Sequence, residues 1–331
     1  MSFPIYHPGR YGDLLWALPT VRAISERDDR VHLVLPTDPA NTTPMSVMLP
    51  LLKEQDYLAD VVIDEDWSIT QDAPRSPRFP PDIGELPDDC YALGYTGWPL
   101  EPLPYESAIL GAINIATLND EQFFRPWIRV PSCAHQFQGY TGPLHTRPSW
   151  RGNKQWDPEG LWIRRRYGDP GGILRTEMYE VAVHWTDRYH ELKLGILAEL
   201  RRLLPKIRLR WYAQAGSRMC QAGAQAVDLA TLAYIFQQHD VVLTDCSCAH
   251  VLAAAVGVER VLVVEPEEAR HHPIFWPGSE VREDGHWTPR RTRLGRTIVP
   301  VIGGDFRPTF DARHTADAVR WAVDTHGKQE G

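Results

Sequence analysis

Asp240-Val241-Val242-Leu243-Thr244-Asp245-Cys246-Ser247-Cys248-Ala249-His250 carries the clearest change of hydrophobic period in the chain. Val241-Val242-Leu243 reads as a buried strand. It turns directly into a small-residue helix, read from Ala249 to Val256, and Val261-Leu262-Val263-Val264 follows as a second buried strand. Near-continuous Val and Leu runs on either side of a helix belong to a parallel sheet covered on both faces.

The helix start within this stretch presents unpaired N–H groups and the positive end of a dipole, which together suit an anion. Cys246, Ser247 and Cys248 are small enough for a phosphate to reach the backbone. An equally good reading is a helix start capped by Asp245 or Ser247. A metal site at Cys246, Cys248 and His250 is disfavoured, because the spacing departs from common zinc sites and no second Cys/His pair lies nearby.

The same rhythm extends outward. Val181 to Trp185 and Ile207 to Tyr212 read as strands, while Leu192 to Leu204, Leu229 to Gln237 and Thr315 to Val323 read as helices. In the first half, Phe3 to His7, Val31 to Leu35 and Val61 to Ile63 read as strands. Leu14 to Ile24, Met45 to Lys53 and Tyr105 to Ile115 read as helices. Strand and helix in alternation imply parallel sheets with crossover helices. The expected fold class is α/β, with two Rossmann-like doubly wound domains, residues 1–175 and 176–331. Ligands are expected at the carboxyl ends of the strands, in a cleft between the domains. An irregular basic excursion, residues 136–175, joins the two.

Composition sets limits. The 331 residues carry a formal net charge of −8, with 43% hydrophobic and 24% charged residues, ordinary for a globular protein. A wholly basic nucleic-acid binder is excluded, although a local basic patch is not. The 5 cysteines form no disulfide framework, and neither a signal peptide nor a membrane span is evident. The expected location is therefore cytoplasmic, without membrane insertion.

Two further features bear on chemistry. Gly9-Arg10-Tyr11-Gly12-Asp13-Leu14-Leu15 links the first strand to its helix. It matches neither a dinucleotide fingerprint nor a P-loop. Asp13 falls at the helix start, where a carboxylate can take a proton from an attacking hydroxyl or simply complement the dipole. Thr186 follows the strand at Val181, and Lys193 begins the next helix. A cation there can neutralise a diphosphate leaving group or remain solvated.

Together these features resemble glycosyltransferase family nine, the heptosyltransferase-like enzymes. The resemblance rests on Gly12-Asp13-Leu14-Leu15-Trp16-Ala17-Leu18-Pro19 with Arg22 following. It also rests on Asp245 to His250, then Ala253-Ala254-Ala255-Val256-Gly257, and on Thr186 and Lys193. It implies a GT-B fold, a nucleotide-sugar donor held by the second domain, and no cofactor or metal. Carried over, Asp13 becomes the candidate base. Thr186, Lys193, Asp245, Cys246, Ser247, Cys248 and His250 become donor ligands. Arg10, Gly12, Arg164 and Arg166 are weaker candidates for acceptor or phosphate contacts. Ser247 stands where the family has Gly, and Tyr212 to Gly216 lacks the Glu that often reads the nucleoside.

The implied reaction moves a sugar, hexosyl or heptosyl, to an acceptor hydroxyl. The acceptor is either a saccharide or a hydroxymethylated base in DNA. Arg147 to Arg175 with Trp150, Trp156 and Trp162, and Arg290-Arg291-Thr292-Arg293 with Arg296, read slightly better as solvated charged faces, but basic and aromatic residues together also suit a nucleic acid and so suggest the second. A non-catalytic sugar-nucleotide binder and a nucleotide-sugar epimerase are the rival readings.

Overall fold

A computed structural model describes residues 4–7, 11–28, 31–38, 44–68, 91–92, 128–130, 179–245, 247–258, 260–266, 290–291, 297–303 and 312–325. The expected helix from Tyr105 to Ile115, the basic excursion and the boundary at residue 175 lie outside them.

The first sheet holds β1 (Pro4–Tyr6), β2 (Val31–Asp38), β3 (Leu58–Ser68) and β4 (Tyr91–Ala92), in the order β3-β2-β1-β4. Every pairing is parallel, with Ile5 opposite both Leu33 and Tyr91. Helix α1 (Tyr11–Asp28) makes the crossover from β1 to β2. It runs through Pro19, whose missing N–H and ring disfavour a helix interior. Burial of Leu14, Leu15, Leu18 and Val21, each 0% exposed, offsets that cost. The expected helix over Met45–Lys53 is instead a 3-10 turn, Met45–Met48, followed by the single-turn α2 (Leu49–Leu52), which has Pro50 in its first turn.

The second sheet comprises β5 (Tyr179–His184), β6 (Ile207–Gln214), β7 (Gln225–Val227), β8 (Val241–Asp245), β9 (Arg260–Pro266), β10 (Arg290–Arg291) and β11 (Thr297–Gly303). Its order is β10-β11-β9-β8-β5-β6-β7, and only β10 is antiparallel. The helices are α3 (His190–Leu203), α4 (Arg218–Gln221), α5 (Leu229–Gln237), α6 (Cys248–Ala255) and α7 (Ala312–Thr325). Local chemistry sets their ends. The Asp228 carboxylate accepts the Thr231 N–H at 2.7 Å to start α5. Gly257, at φ 83°, ends α6, with the Val258 N–H donating to the Ala253 carbonyl at 3.0 Å.

Both sheets reverse their strand order at an interior point. In the second, β6 and β7 lie to one side of β5, and β8 and β9 to the other. In the first, β2 and β3 lie to one side of β1, and β4 to the other. Such switch points open a crevice at the carboxyl ends of the strands, where α/β proteins bind ligands.

One apolar core lies between the second sheet and helices α3 and α7, and includes Val183, Trp211, Leu197 and Val319. The larger core draws on both halves. Leu14, Leu15 and Leu18 of α1 join Leu252 and Ala253 of α6 and Phe236 of α5. The halves are also tied by the backbone. Ile128 donates its N–H to the Ala255 carbonyl at 3.3 Å, while the Gln55 side chain bonds both the N–H and the carbonyl of Arg129 at 2.9 Å.

Candidate functional site

The switch point of the second sheet is closed by a buried polar cluster. Asp245 ends β8, and His184, on the neighbouring β5, pairs with Thr244. The chain leaves β5 through Trp185 and Thr186. Thr186 donates to Asp245 Oδ2 from its backbone N–H at 2.7 Å and from its hydroxyl at 2.5 Å. Lys193, in the first turn of α3, reaches back. Its Nζ donates to the same oxygen at 2.5 Å and to the Thr186 carbonyl at 3.1 Å. The side chains of Lys193 and Asp245 are both 0% exposed.

Burial alone would raise the Asp245 pKa. The Lys193 charge, with hydrogen bonds from Lys193, Thr186 and Ser247, overcomes that and holds the carboxyl well below the usual range. The Asp245 carboxyl is therefore ionised, facing Lys193 in a buried ion pair. On the sequence reading, Lys193 offers its charge to an incoming diphosphate. The structure turns it inward instead, because Asp245 lies within reach and a buried carboxylate needs a counter-charge. Asp245 faces the same cluster, so the pair ties the end of β8 to the loop that leaves β5.

The α6 start is organised by Ser247 and His250. The Ser247 N–H donates to His250 Nδ1 at 3.1 Å, which puts the ring proton on Nε2. The Ser247 hydroxyl accepts the Ala249 N–H at 3.3 Å and so caps the turn. Cys248 is half-buried, and burial followed by the Asp245 charge pushes its thiol up to about 12. Among the described residues, no group of three or more His, Cys, Asp or Glu could hold a metal.

The α1 start meets this turn. A Cβ placed on Gly12 would lie 3.6 Å from the Cys248 Cα and 3.9 Å from the Cys248 nitrogen. Two helices that follow switch-point strands, one from each sheet, therefore begin side by side, and the positive ends of their dipoles reinforce each other. Asp13 lies on the first turn of α1, next to Gly12. Arg22, one turn further on than Leu18, pairs with Glu26 at 2.9 Å. Arg10, Cys246, Arg164 and Arg166 lie outside the described residues.

Three neighbours of the cluster carry little or no local sequence signal. Asp187 binds the loop after β6, accepting from the Ser217 hydroxyl at 2.6 Å and the Arg218 N–H at 3.1 Å. Burial opposes its ionisation, but these bonds hold its carboxyl below the ordinary value. No local pattern marks Asp187, since its partners are 30 residues away. Tyr189, exposed, ends the loop between β5 and α3. His184 is buried behind the ion pair, edge-on to Phe236 at 6.5 Å. A histidine directly after the apolar run Val181-Ala182-Val183 was its only signal.

Burial lowers the pKa of His184. It brings that of His7, just beyond β1, down to about 3 from an ordinary 6.5. Between those two values the unfolded chain binds protons that the folded chain refuses. The stability His7 contributes is thus full above about pH 6.5 and is lost as pH falls toward 3, by up to about 1.4 kcal/mol per pH unit for one group. Urea midpoints are expected to fall steadily from pH 7 to pH 4, and less steeply in a His7→Gln variant. A level wild-type midpoint across that range would contradict the burial argument.

No protein-family profile matches the chain, and no curated protein matches it. Solved structures do. A glycosyl transferase family 9 protein from Veillonella parvula is similar at 10% identity and a TM-score of 0.47, over 98% of this chain and 96% of that one. The E. coli heptosyltransferase WaaC, solved with ADP, aligns at 12% identity and a TM-score of 0.48, over 99% and 100%. The E. coli ADP-heptose lps heptosyltransferase II aligns at 13% and 0.44, over 98% and 99%. The likeness is to family-nine glycosyltransferases. No helix among the described residues is long and apolar enough to cross a membrane.

Proposed function

We propose that this chain is a glycosyltransferase that moves a sugar from a nucleotide-sugar donor to an acceptor hydroxyl. The observation that carries the reading is the meeting of the α1 and α6 starts at Gly12 and Cys248. It joins the two segments on which the sequence resemblance rests, although they lie in opposite halves of the chain.

The donor diphosphate sits against the α6 start from Ser247 onward, where the positive ends of two helix dipoles favour negative charge. These fixed dipoles stabilise the departing diphosphate without a metal ion. Thr186, Lys193 and Asp245 keep the ends of β5 and β8 in register beneath it. Asp13, on the first turn of α1, accepts the proton of the acceptor hydroxyl as that oxygen attacks the anomeric carbon. The acceptor is a saccharide or a hydroxymethylated base in DNA, each of which supplies such a hydroxyl.

A thermal-shift screen of ADP-, UDP-, GDP- and CDP-sugars with EDTA present tests the donor. Binding at 100 times Kd stabilises the native state by about 2.7 kcal/mol, a rise of several degrees. Incubating the hit with oligosaccharides and with hydroxymethylated DNA then tests transfer. Stabilisation followed by transfer is the expected result. Stabilisation without transfer to either acceptor would point to a binder or an epimerase, and no stabilisation by any sugar nucleotide would remove the reading.

A further inference from the structure

Tyr189 stands at the carboxyl edge of the second sheet, three residues beyond Thr186 and immediately before α3. Its backbone is left-handed, at φ 56° and ψ 37°, and it is the one non-glycine residue with positive φ among the described residues. A bulky side chain rarely adopts that region. The position is the N-cap of α3, where Ser, Thr, Asp or Asn is preferred, and Tyr189 makes no side-chain cap bond. Neither local preference nor capping accounts for tyrosine here.

The surroundings hold the residue in this conformation. On one side Thr186 is fixed to Asp245, and Asp187 to Ser217 and Arg218. On the other, the Lys193 N–H donates to the Tyr189 carbonyl at 3.0 Å. The backbone is over-determined while the ring is carried outward, 36% exposed, next to a buried site. The Arg188 guanidinium lies 5.6 Å from the ring centroid. A flat ring paired with a guanidinium is the chemistry that accepts a planar heteroaromatic partner by stacking and cation–π contact. Strain maintained by neighbouring structure is characteristic of ligand clamps.

We propose that Tyr189, with Arg188, forms the stacking platform for the nucleobase of the donor. This rests on the nucleotide-sugar reading above. The diphosphate then lies on the α6 start, and the base extends along the carboxyl edge over the loop after β5. Stacking is tolerant of base identity, so this residue contributes affinity more than choice of nucleotide.

Calorimetric titration of wild type, Tyr189→Ala, Tyr189→Phe and Tyr189→Gly with ADP, UDP and GDP, and separately with inorganic pyrophosphate, tests the proposal. Tyr189→Ala is expected to weaken the preferred nucleoside diphosphate about ten-fold or more and to leave pyrophosphate unchanged, while Tyr189→Phe stays near wild type. Tyr189→Gly should lose the nucleotide equally yet melt about 2 °C higher, because the left-handed backbone no longer carries a side chain. Unchanged nucleotide affinity in Tyr189→Ala would overturn the proposal. So would an equal loss for pyrophosphate, which would mean that the ring shapes the loop and does not hold the base. If the wild type bound none of the three nucleotides, the donor reading itself would fall, and this proposal with it.

Discussion

A Lys193→Met variant will be less stable than wild type by about 3–5 kcal/mol, because it leaves the Asp245 carboxylate buried without its counter-charge. That is a large part of the roughly 5–15 kcal/mol that holds a typical domain folded. Methionine fills most of the lysine stem's volume, so the loss reports charge and hydrogen bonding more than packing. One further variant separates a buried ion pair from a merely tight contact. Lys193→Met combined with Asp245→Asn removes both charges and keeps an acceptor for the Thr186 N–H. It is expected to recover most of the stability. The single variant will also reverse its response to acid. In the wild type, Asp245 is held below its unfolded value, so its contribution is present above about pH 4 and lost below. Without Lys193, burial places the folded value above the unfolded one. The penalty then shrinks as the group protonates, and the gap to wild type narrows toward low pH. Chemical denaturation at pH 7 and pH 4.5 measures this. A gap of under 1 kcal/mol at pH 7 would show that the pair is not buried as described.

Asp13→Asn will lower transfer by about 100- to 10,000-fold if the carboxylate is the base, since asparagine keeps the shape and cannot accept a proton. Asp13 lies one residue from the Gly12–Cys248 contact. The substitution leaves that contact intact and places a neutral group where a charged one complemented the α1 dipole, at a stability cost of about 0.3–1 kcal/mol. Donor affinity should therefore stay near wild type while turnover falls. A folded Asp13→Asn enzyme with wild-type turnover would remove Asp13 from the mechanism.

Sequence patterns made most of the fold legible where burial is two-sided or helical periodicity is clean. The Val241-Val242-Leu243 run sits in the middle of the second sheet, and Leu229–Gln237 is a helix over the span expected for it. Expectation failed at the edges. β7 spans only Gln225–Val227 and carries little apolar signal. β11 contains Pro300, which argues against a strand when read alone. Parallel pairing with β9 carries the strand through it, with Pro300 in register opposite Val263 and every other β11 residue likewise paired there.

The two strand-to-helix junctions, at Gly12-Asp13 and at Asp245 to His250, are properties of the sequence itself. Small residues and an abrupt change of hydrophobic period mark each one locally, and their place at the carboxyl ends of parallel strands follows. Which way Lys193 points could be decided only by the tertiary structure. Its partner Asp245 lies 52 residues along the chain. It arrives beside β5 because the strand order reverses there. Once that carboxylate is buried, the nearest ammonium must neutralise it. A residue that by itself reads as a cation for a ligand thus becomes the internal tie between the ends of β5 and β8.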